Sequence, residues 1–220
     1  MKAQKKGIRP LHPSSTSNSR QNTGLTDLTD LELWQKFKQG DKAAFILIYN
    51  QYFDVLYSYG YQFTQDEELI KDCIHDVFAE IRQSRERLSD TNNIRYYLLK
   101  SFKSRFLYYQ KKKSFLLSED YYSDGYHFQF SFSTEQKIIE AQISHEKVEK
   151  LNRAVQKLSP RQREVIYYFF YEELSIDAIK ELMNVSNRRS IQNIVYRALA
   201  NLKDLITLQL FVGYYHLCIH

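Results

Sequence analysis

Three times in this chain a Ser or Thr stands three residues ahead of a Glu or Gln and opens a run of apolar residues spaced by three and four. The pairs are Thr29 with Glu32, Thr64 with Glu67, and Ser159 with Gln162. In such a box the hydroxyl accepts from a backbone amide of the first turn while the later side chain reaches back to the cap's own amide. Pro160 strengthens the third start, because its missing N–H is one the first helical position does not need. After Thr29, Trp34 and Phe37 form a short stripe closed by Gly40. From Asp41 a second helix carries Phe45, Ile48, Tyr49, Tyr52, Leu56 and Tyr59 at helical spacing. A third runs through Ile70, Ile74, Val77, Phe78 and Ile81 to about Arg87, and a fourth spans 93–113. A second helical unit starts near Glu135, with Ile138, Ile139, Ile143, Val148, Leu151 and Val155 on one side. It continues through the Ser159 start, a short helix in "LSIDAIKELMNVS" and a last helix after a polar turn. No strand signal of any length appears. The spacing predicts an all-α protein of two small helical domains joined by a flexible linker, and 220 residues suffice for one core or two small ones.

The expected boundaries are a disordered basic arm over 1–26, a first domain over 27–113, a linker over 114–134, a second domain over 135–208 and an extension over 209–220. The arm carries Lys2, Lys5, Lys6, Arg9 and Arg20 and no acid. The linker is acidic at Glu119, Asp120 and Asp124 and unusually aromatic, so it is expected to lie against something.

Glycine (6) and proline (3) are too scarce, and aromatics at 15% too abundant, for a fibrous or wholly disordered chain. The net charge of +5 is modest, so the placement of the cations carries the meaning. Cys73 and Cys218 form no CxxC pair and the six histidines lack ligand spacing, so no metal or cofactor is expected and a reducing cytoplasm fits. The longest apolar runs are too short or too broken to span a bilayer, so no membrane insertion is expected.

Three stretches carry chemistry. In "VSNRRSIQNIVYRALANLK", Ile191, Ile194, Val195, Ala198 and Leu202 fall on one side of a helix, while Arg189, Gln192, Asn193 and Tyr196 fall on the other. A short helix, a tight turn and a longer helix presenting Arg, Gln and Asn is a helix-turn-helix arrangement, whose second helix lies in the major groove. Those side chains are the ones able to make bidentate bonds to guanine or adenine. Arginines in a first turn oppose the helix dipole, so phosphate or a base edge should reward Arg188 and Arg189. An ordinary amphipathic helix with a solvated polar face is the alternative for this stretch alone.

"IRYYLLKSFKSRFLYYQKKK", Ile94 to Lys113, holds seven basic residues, six aromatics and no acid. Positive charge beside rings that can stack on bases suits single-stranded or melted DNA. Leu98, Phe102, Phe106 and Tyr109 follow a buried stripe, leaving Lys100, Lys103, Ser104, Tyr108 and Lys111 as the contact face. A solvated basic helix is the alternative. In "DEELIKDCIHDVFAEI", Asp72, Asp76 and Glu80 stack four residues apart, where like charges repel and a basic protein partner would relieve them. His75 beside Asp76 does not make a relay, because adjacent helical residues point apart, and no nucleophile or metal set accompanies them. No enzymatic role is expected.

Taken in order, these stretches resemble a sigma factor of the extracytoplasmic-function group, the small two-domain members of the sigma-seventy family, over roughly 27–206. "GDKAAFILIYNQYFDVLY" and "DCIHDVF" are similar to the family's second region, and "LSPRQREVIYYFFYEELSIDAIKELMNVS" to its fourth. "NIVYRALANL" resembles the iron-regulator-like sigma factors of Bacteroidetes. The resemblance implies that the first domain is the region 2 bundle and the second the region 4 helix-turn-helix. It implies that Asp72, His75 and Asp76, extended by Glu80 of the acidic stripe, bind core RNA polymerase. It further implies that Lys100, Lys103, Ser104, Arg105 and Tyr108, continued by Lys111, recognise and melt the minus-ten element. Arg188, Arg189, Gln192, Asn193, Tyr196 and Arg197 would read the minus-thirty-five element, and an anti-sigma partner would hold the protein inactive. His75 and Asp76 depart from the usual glutamine and glutamate. Ala178 and Lys180 depart from the usual "Glu-Ile-Ala", where a lysine fits only if its stem snorkels outward. The turn "SNRRS" is one residue longer than the common form. The expected function is therefore an alternative sigma factor. The rival readings are a free-standing helix-turn-helix regulator and a helical interaction protein that does not bind DNA.

Overall fold

The computed structural model describes Leu25 and residues 27–117, 128–130 and 145–203. The basic arm apart from Leu25, most of the linker, Ile138, Ile139, Ile143 and the 209–220 extension lie outside the described residues. The first module contains α1 (Asp30–Lys38), α2 (Lys42–Gly60), α3 (Glu67–Ser84) with a 3₁₀ turn at Arg85–Arg87, and α4 (Ile94–Leu117). The second contains α5 (His145–Gln156), α6 (Pro160–Ile166) running into a π-helical turn at Tyr167–Tyr171, α7 (Ile176–Leu182) and α8 (Arg188–Lys203). Among the described residues there is no strand.

The expected caps at Thr29 and Ser159 form complete boxes, and Asp41 caps α2 through the amides of Ala43 and Ala44. The start expected at Thr64 differs by two residues. Asp66 is the cap of α3, accepting from the Leu69 amide at 3.1 Å, while the Thr64 hydroxyl accepts from the Asp66 amide. A carboxylate one residue before the helix outcompetes the more distant hydroxyl, and its charge favours the positive helix end. The start of α4 is capped twice: Asn93 Oδ1 accepts from the Tyr96 amide at 2.7 Å, and Asp30 of α1, from elsewhere in the fold, accepts from the Ile94 amide at 2.8 Å.

The first core is aromatic. Trp34, Phe37, Tyr59, Phe102 and Phe106 are fully buried among Ile48, Leu56, Ile70 and Ile74. The Trp34 indole Nε1 donates to the Ser89 carbonyl at 3.0 Å, which fixes the loop between α3 and α4. Lys38 and Asp90 pair beside it at 2.6 Å. At Gly60, α2 lies close against side chains of α3 and α4. A Cβ there would lie 2.7 Å from the Phe102 ring and 2.8 Å from an Ile70 methyl. Gly60→Ala is expected to cost about 1–3 kcal/mol by overpacking, read as a lowered midpoint in urea unfolding.

The π-helical turn was not expected from the sequence. Glu172 N donates to Tyr167 O at 3.0 Å, one residue further back than an α-helix allows. The wider turn leaves Tyr167, Tyr168, Leu174 and the Glu172 carboxylate all facing inward. What they face is the first module. Tyr59 of α2 and Tyr168 join hydroxyls in a short hydrogen bond, and Tyr59 stacks 6.0 Å from Tyr167. Phe128 and Phe130, the described part of the linker, are buried in the same seam, packing against Phe63, Tyr167 and Tyr171. Gln129 N donates to Gln62 O at 2.7 Å and Gln156 Nε2 to Phe130 O at 3.1 Å, so this piece of linker is bonded to both modules.

Candidate nucleic-acid and polymerase interfaces

On α8, Ile191, Val195, Ala198 and Leu202 are buried, while Arg189, Gln192, Asn193, Tyr196 and Arg197 are exposed on the opposite side. Tyr196 is 65% exposed on this same outward side. The turn from α7 uses Asn184 at φ 50°, a left-handed position that asparagine tolerates. Arg188 is exposed but turned back, its Nη1 2.7 Å from Asp177 Oδ2 on α7, so it braces the two helices of the motif. The first-turn arginine is thus rewarded within the chain. Lys180 is half-buried on α7, while Ile179 takes the fully buried place between the helices.

On α4 the buried stripe is Ile94, Leu98, Leu99, Phe102 and Phe106, and Lys100, Ser104, Tyr108 and Lys111 are exposed as the spacing predicts. Tyr96, Tyr97, Lys100, Ser104, Arg105 and Tyr108 line one open cleft of about 590 Å3 between α3 and α4. Rings, cations and a hydroxyl in one cleft are the chemistry that a stacked base and its phosphate require. Lys103 departs from the expected contact face. It is 7% exposed, and its Nζ lies 2.7 Å from Glu164 Oε1 and 2.8 Å from the Leu182 carbonyl, both in the second module. The helical period places Lys103 at the edge of the apolar stripe, and the second module closes over that edge.

The acidic stripe of α3 is divided. Asp72 and His75 are exposed. Asp76 is half-buried and accepts from the Tyr109 hydroxyl at 2.6 Å, which with burial pushes the Tyr109 hydroxyl up to about 12. Glu80 pairs with Arg105. Two carboxylates four residues apart on α3 therefore meet two donors four residues apart on α4. The expected repulsion is relieved inside the module. Cys73, beneath this stripe, is fully buried, and burial first, then Asp76 and Asp72, pushes its thiol up to about 12. Native Cys73 is expected to resist iodoacetamide at pH 8 and to react once urea unfolds the chain.

Sequence reasoning did not find the carboxylates Glu164, Glu172 and Glu181. Glu164 is fully buried, and its Oε1 accepts from both Lys103 Nζ and Tyr168 Oη at 2.7 Å. Glu172 accepts from Tyr167 Oη at 2.5 Å and lies 2.5 Å from Arg95 Nε. Glu181 accepts from Tyr96 Oη and Lys100 Nζ, each at 2.8 Å, and these two donors hold its carboxyl below the usual range, Lys100 contributing most. The available signal was the single acid inside the apolar run "REVIYYFF".

With this geometry in view, comparison with known proteins finds a family likeness in the second module. Residues 154–204 match the family model for sigma-70, region 4. That segment runs from the end of α5 through α8 and contains the whole helix-turn-helix. A search of curated proteins gave no match. Among solved structures, CnrH in complex with the cytosolic domain of CnrY is similar at a TM-score of 0.51 and 15% identity. The match covers 80% of this chain and 96% of that one. The sigma factor RpoE of Bartonella quintana, in complex with the anti-sigma factor NepR, is similar at a TM-score of 0.50 and 17% identity, covering 80% and 99%. The region 4 match is local, whereas these structural matches extend over both modules and show a shared helical fold. No helix among the described residues is long and apolar enough to cross a membrane.

Proposed function

We propose that this chain is an alternative sigma factor of the extracytoplasmic-function group, of the iron-regulator-like kind, that binds core RNA polymerase and directs promoter-specific initiation. The observation that carries this reading is the outward face of α8 in the segment matching region 4. Arg189, Gln192, Asn193, Tyr196 and Arg197 stand there on the second helix of a helix-turn-helix, backed by a buried apolar side. In this reading they contact the minus-thirty-five element and Arg188 positions the motif. The cleft of Lys100, Ser104, Arg105, Tyr108 and their neighbours, with Lys111 along the same helix, takes the minus-ten strand, while Lys103 holds the second module instead. Asp72 and His75, flanked by Asp76 and Glu80, meet the polymerase. Both similar structures contain a second protein bound to the sigma-like chain, which supports an anti-sigma partner here. The chain itself performs no chemistry and needs no cofactor.

The test is run-off transcription with bacterial core polymerase, in which promoter-specific initiation is expected. A free-standing regulator would bind duplex DNA without polymerase and give no initiation. Arg189→Ala is expected to weaken binding to the preferred upstream duplex by about 1–3 kcal/mol while relaxing discrimination at one base pair, measured by competition with point-substituted duplexes. Lys111→Ala, if it loses a phosphate contact to single-stranded DNA, should make the slope of log affinity against log salt shallower by about 0.7.

A further inference from the structure

A second pocket of the first module carries the opposite charge to the acidic stripe of α3. It lies where the end of α1, the first turns of α2 and the end of α3 meet, and it holds about 400 Å3. Phe37 and Phe45 form its floor, their rings stacked 5.8 Å apart, and Ile46 is a lining residue that keeps 53% of its surface exposed. Lys42, Arg82 and Arg85 complete the lining. The Arg82 guanidinium lies over the Phe45 ring at 5.6 Å, a stacked position that leaves its N–H edge to a carboxylate. Among the described residues, neither Lys42 nor Arg82 is paired with a carboxylate. Asp41, the acid that lines the pocket, is occupied as the cap of α2, and Arg85 Nη2 meets the exposed Glu86 carboxylate at 2.8 Å. Arg85 Nε is buried without a hydrogen-bond partner beside Gly40, where a Cβ would lie 3.6 Å from it. A buried donor is costly to leave unpaired, so this corner offers both unmet donors and apolar surface.

We propose that this corner of the first module is a docking site for an acidic segment of a partner protein. Its carboxylates meet Lys42, Arg82 and Arg85, while an apolar side chain between them packs on Phe45 and Ile46. The proposal goes beyond the sigma-factor reading and does not depend on it. Nucleic acid fits this corner less well. Phosphates would satisfy the cations but leave Ile46 uncovered, and Phe45, the half-exposed ring, already carries Arg82 where a base would stack. The basic partner that suits Asp72 and His75 would be repelled by the three cations here, so the two surfaces select opposite charge. No lining residue of this pocket belongs to α4 or to the second module, so a short segment seated in it touches neither the α4 cleft nor the outward face of α8.

Fluorescence anisotropy with the full chain tests this. The probes are a labelled peptide, Glu-Asp-Leu-Phe-Asp-Glu, its counterpart with lysine at every acidic position, and a single-stranded oligonucleotide. The acidic peptide should bind saturably, and its lysine counterpart about tenfold more weakly or worse. Arg82→Glu, which reverses a charge of the pocket, should weaken the acidic peptide about tenfold. Ile46→Ser should weaken it about threefold through lost apolar burial. Both positions are exposed, so circular dichroism should be unchanged in either variant. Lys157→Ala, which removes an exposed cation of the second module, should leave the peptide's affinity as it was. Absence of saturable binding overturns the proposal. So does an equal loss with Lys157→Ala, or no loss with Arg82→Glu and Ile46→Ser, since either means diffuse attraction to net charge. Oligonucleotide binding that falls more than peptide binding in those two variants assigns the corner to nucleic acid and overturns it. Sedimentation velocity showing a dimer that Ile46→Ser disperses assigns the face to a second copy of the chain, with the same result.

Discussion

Lys103→Met is expected to weaken the closed packing of the two modules by about 3–5 kcal/mol, because it leaves the Glu164 carboxylate buried without the Lys103 ammonium. Glu164 is fully buried, and after the substitution Tyr168 Oη would still donate to its Oε1. The Leu182 carbonyl loses its Nζ donor at the same time. The loss should appear as a lower thermal midpoint of the full chain and as faster amide exchange in Tyr167–Tyr171, the turn held by this network. The reciprocal change separates charge from packing. Replacing both partners, Lys103→Met with Glu164→Leu, removes the stranded charge and should recover most of the loss. A double variant as unstable as the single one would show that shape, not the stranded carboxylate, sets the cost.

Trp34→Ala should destabilise the first module by a similar amount, about 3–5 kcal/mol, through the cavity that a fully buried indole leaves. Trp34 packs 5.1 Å from Phe37 and 4.9 Å from Tyr97, so the cavity opens between α1 and the start of α4. The Ser89 carbonyl loses its indole donor as well, which loosens the loop beside the cleft of Tyr96 and Lys100. Trp34→Phe retains most of the apolar contact and loses the hydrogen bond, and should cost about 1 kcal/mol plus a smaller loss of packing. Urea unfolding of the three proteins, followed by circular dichroism, measures the series. Equal losses for Ala and Phe would mean that the hydrogen bond, rather than the volume of the indole, holds this corner together.

Much of this architecture was legible because it is local. The Thr29 and Ser159 boxes fix two helix starts from four residues each. The three-and-four spacing identifies the buried faces of α2, α3 and α8, down to Ile48, Ile74 and Val195. The exposed face of α8 follows from that spacing alone, since a helix with one buried side must present the other. The unread parts depend on partners distant in sequence. Asp30 caps α4 from 64 residues away, and Tyr59 bonds to Tyr168 from 109 away. Asp66 displaced Thr64 as a cap because two plausible acceptors stand two residues apart, and only the backbone path chooses between them. The π-helical turn arises where Tyr167, Tyr168 and Glu172 must all face the first module, a demand that "YYFFYEE" does not announce. Lys103 illustrates the limit for the site. The helical period places it beside the apolar stripe, but only the docking of the second module decides that it is buried.

The central claim is that the outward face of α8 guides a polymerase to particular promoters. Run-off transcription with core polymerase, on templates from the same genome, tests it with the wild-type chain beside an Arg189→Ala, Gln192→Ala variant. The account predicts defined start sites with the wild type and their loss with the variant, while core binding persists. Transcription that starts equally well with the variant, or no specific start with either protein, would contradict it.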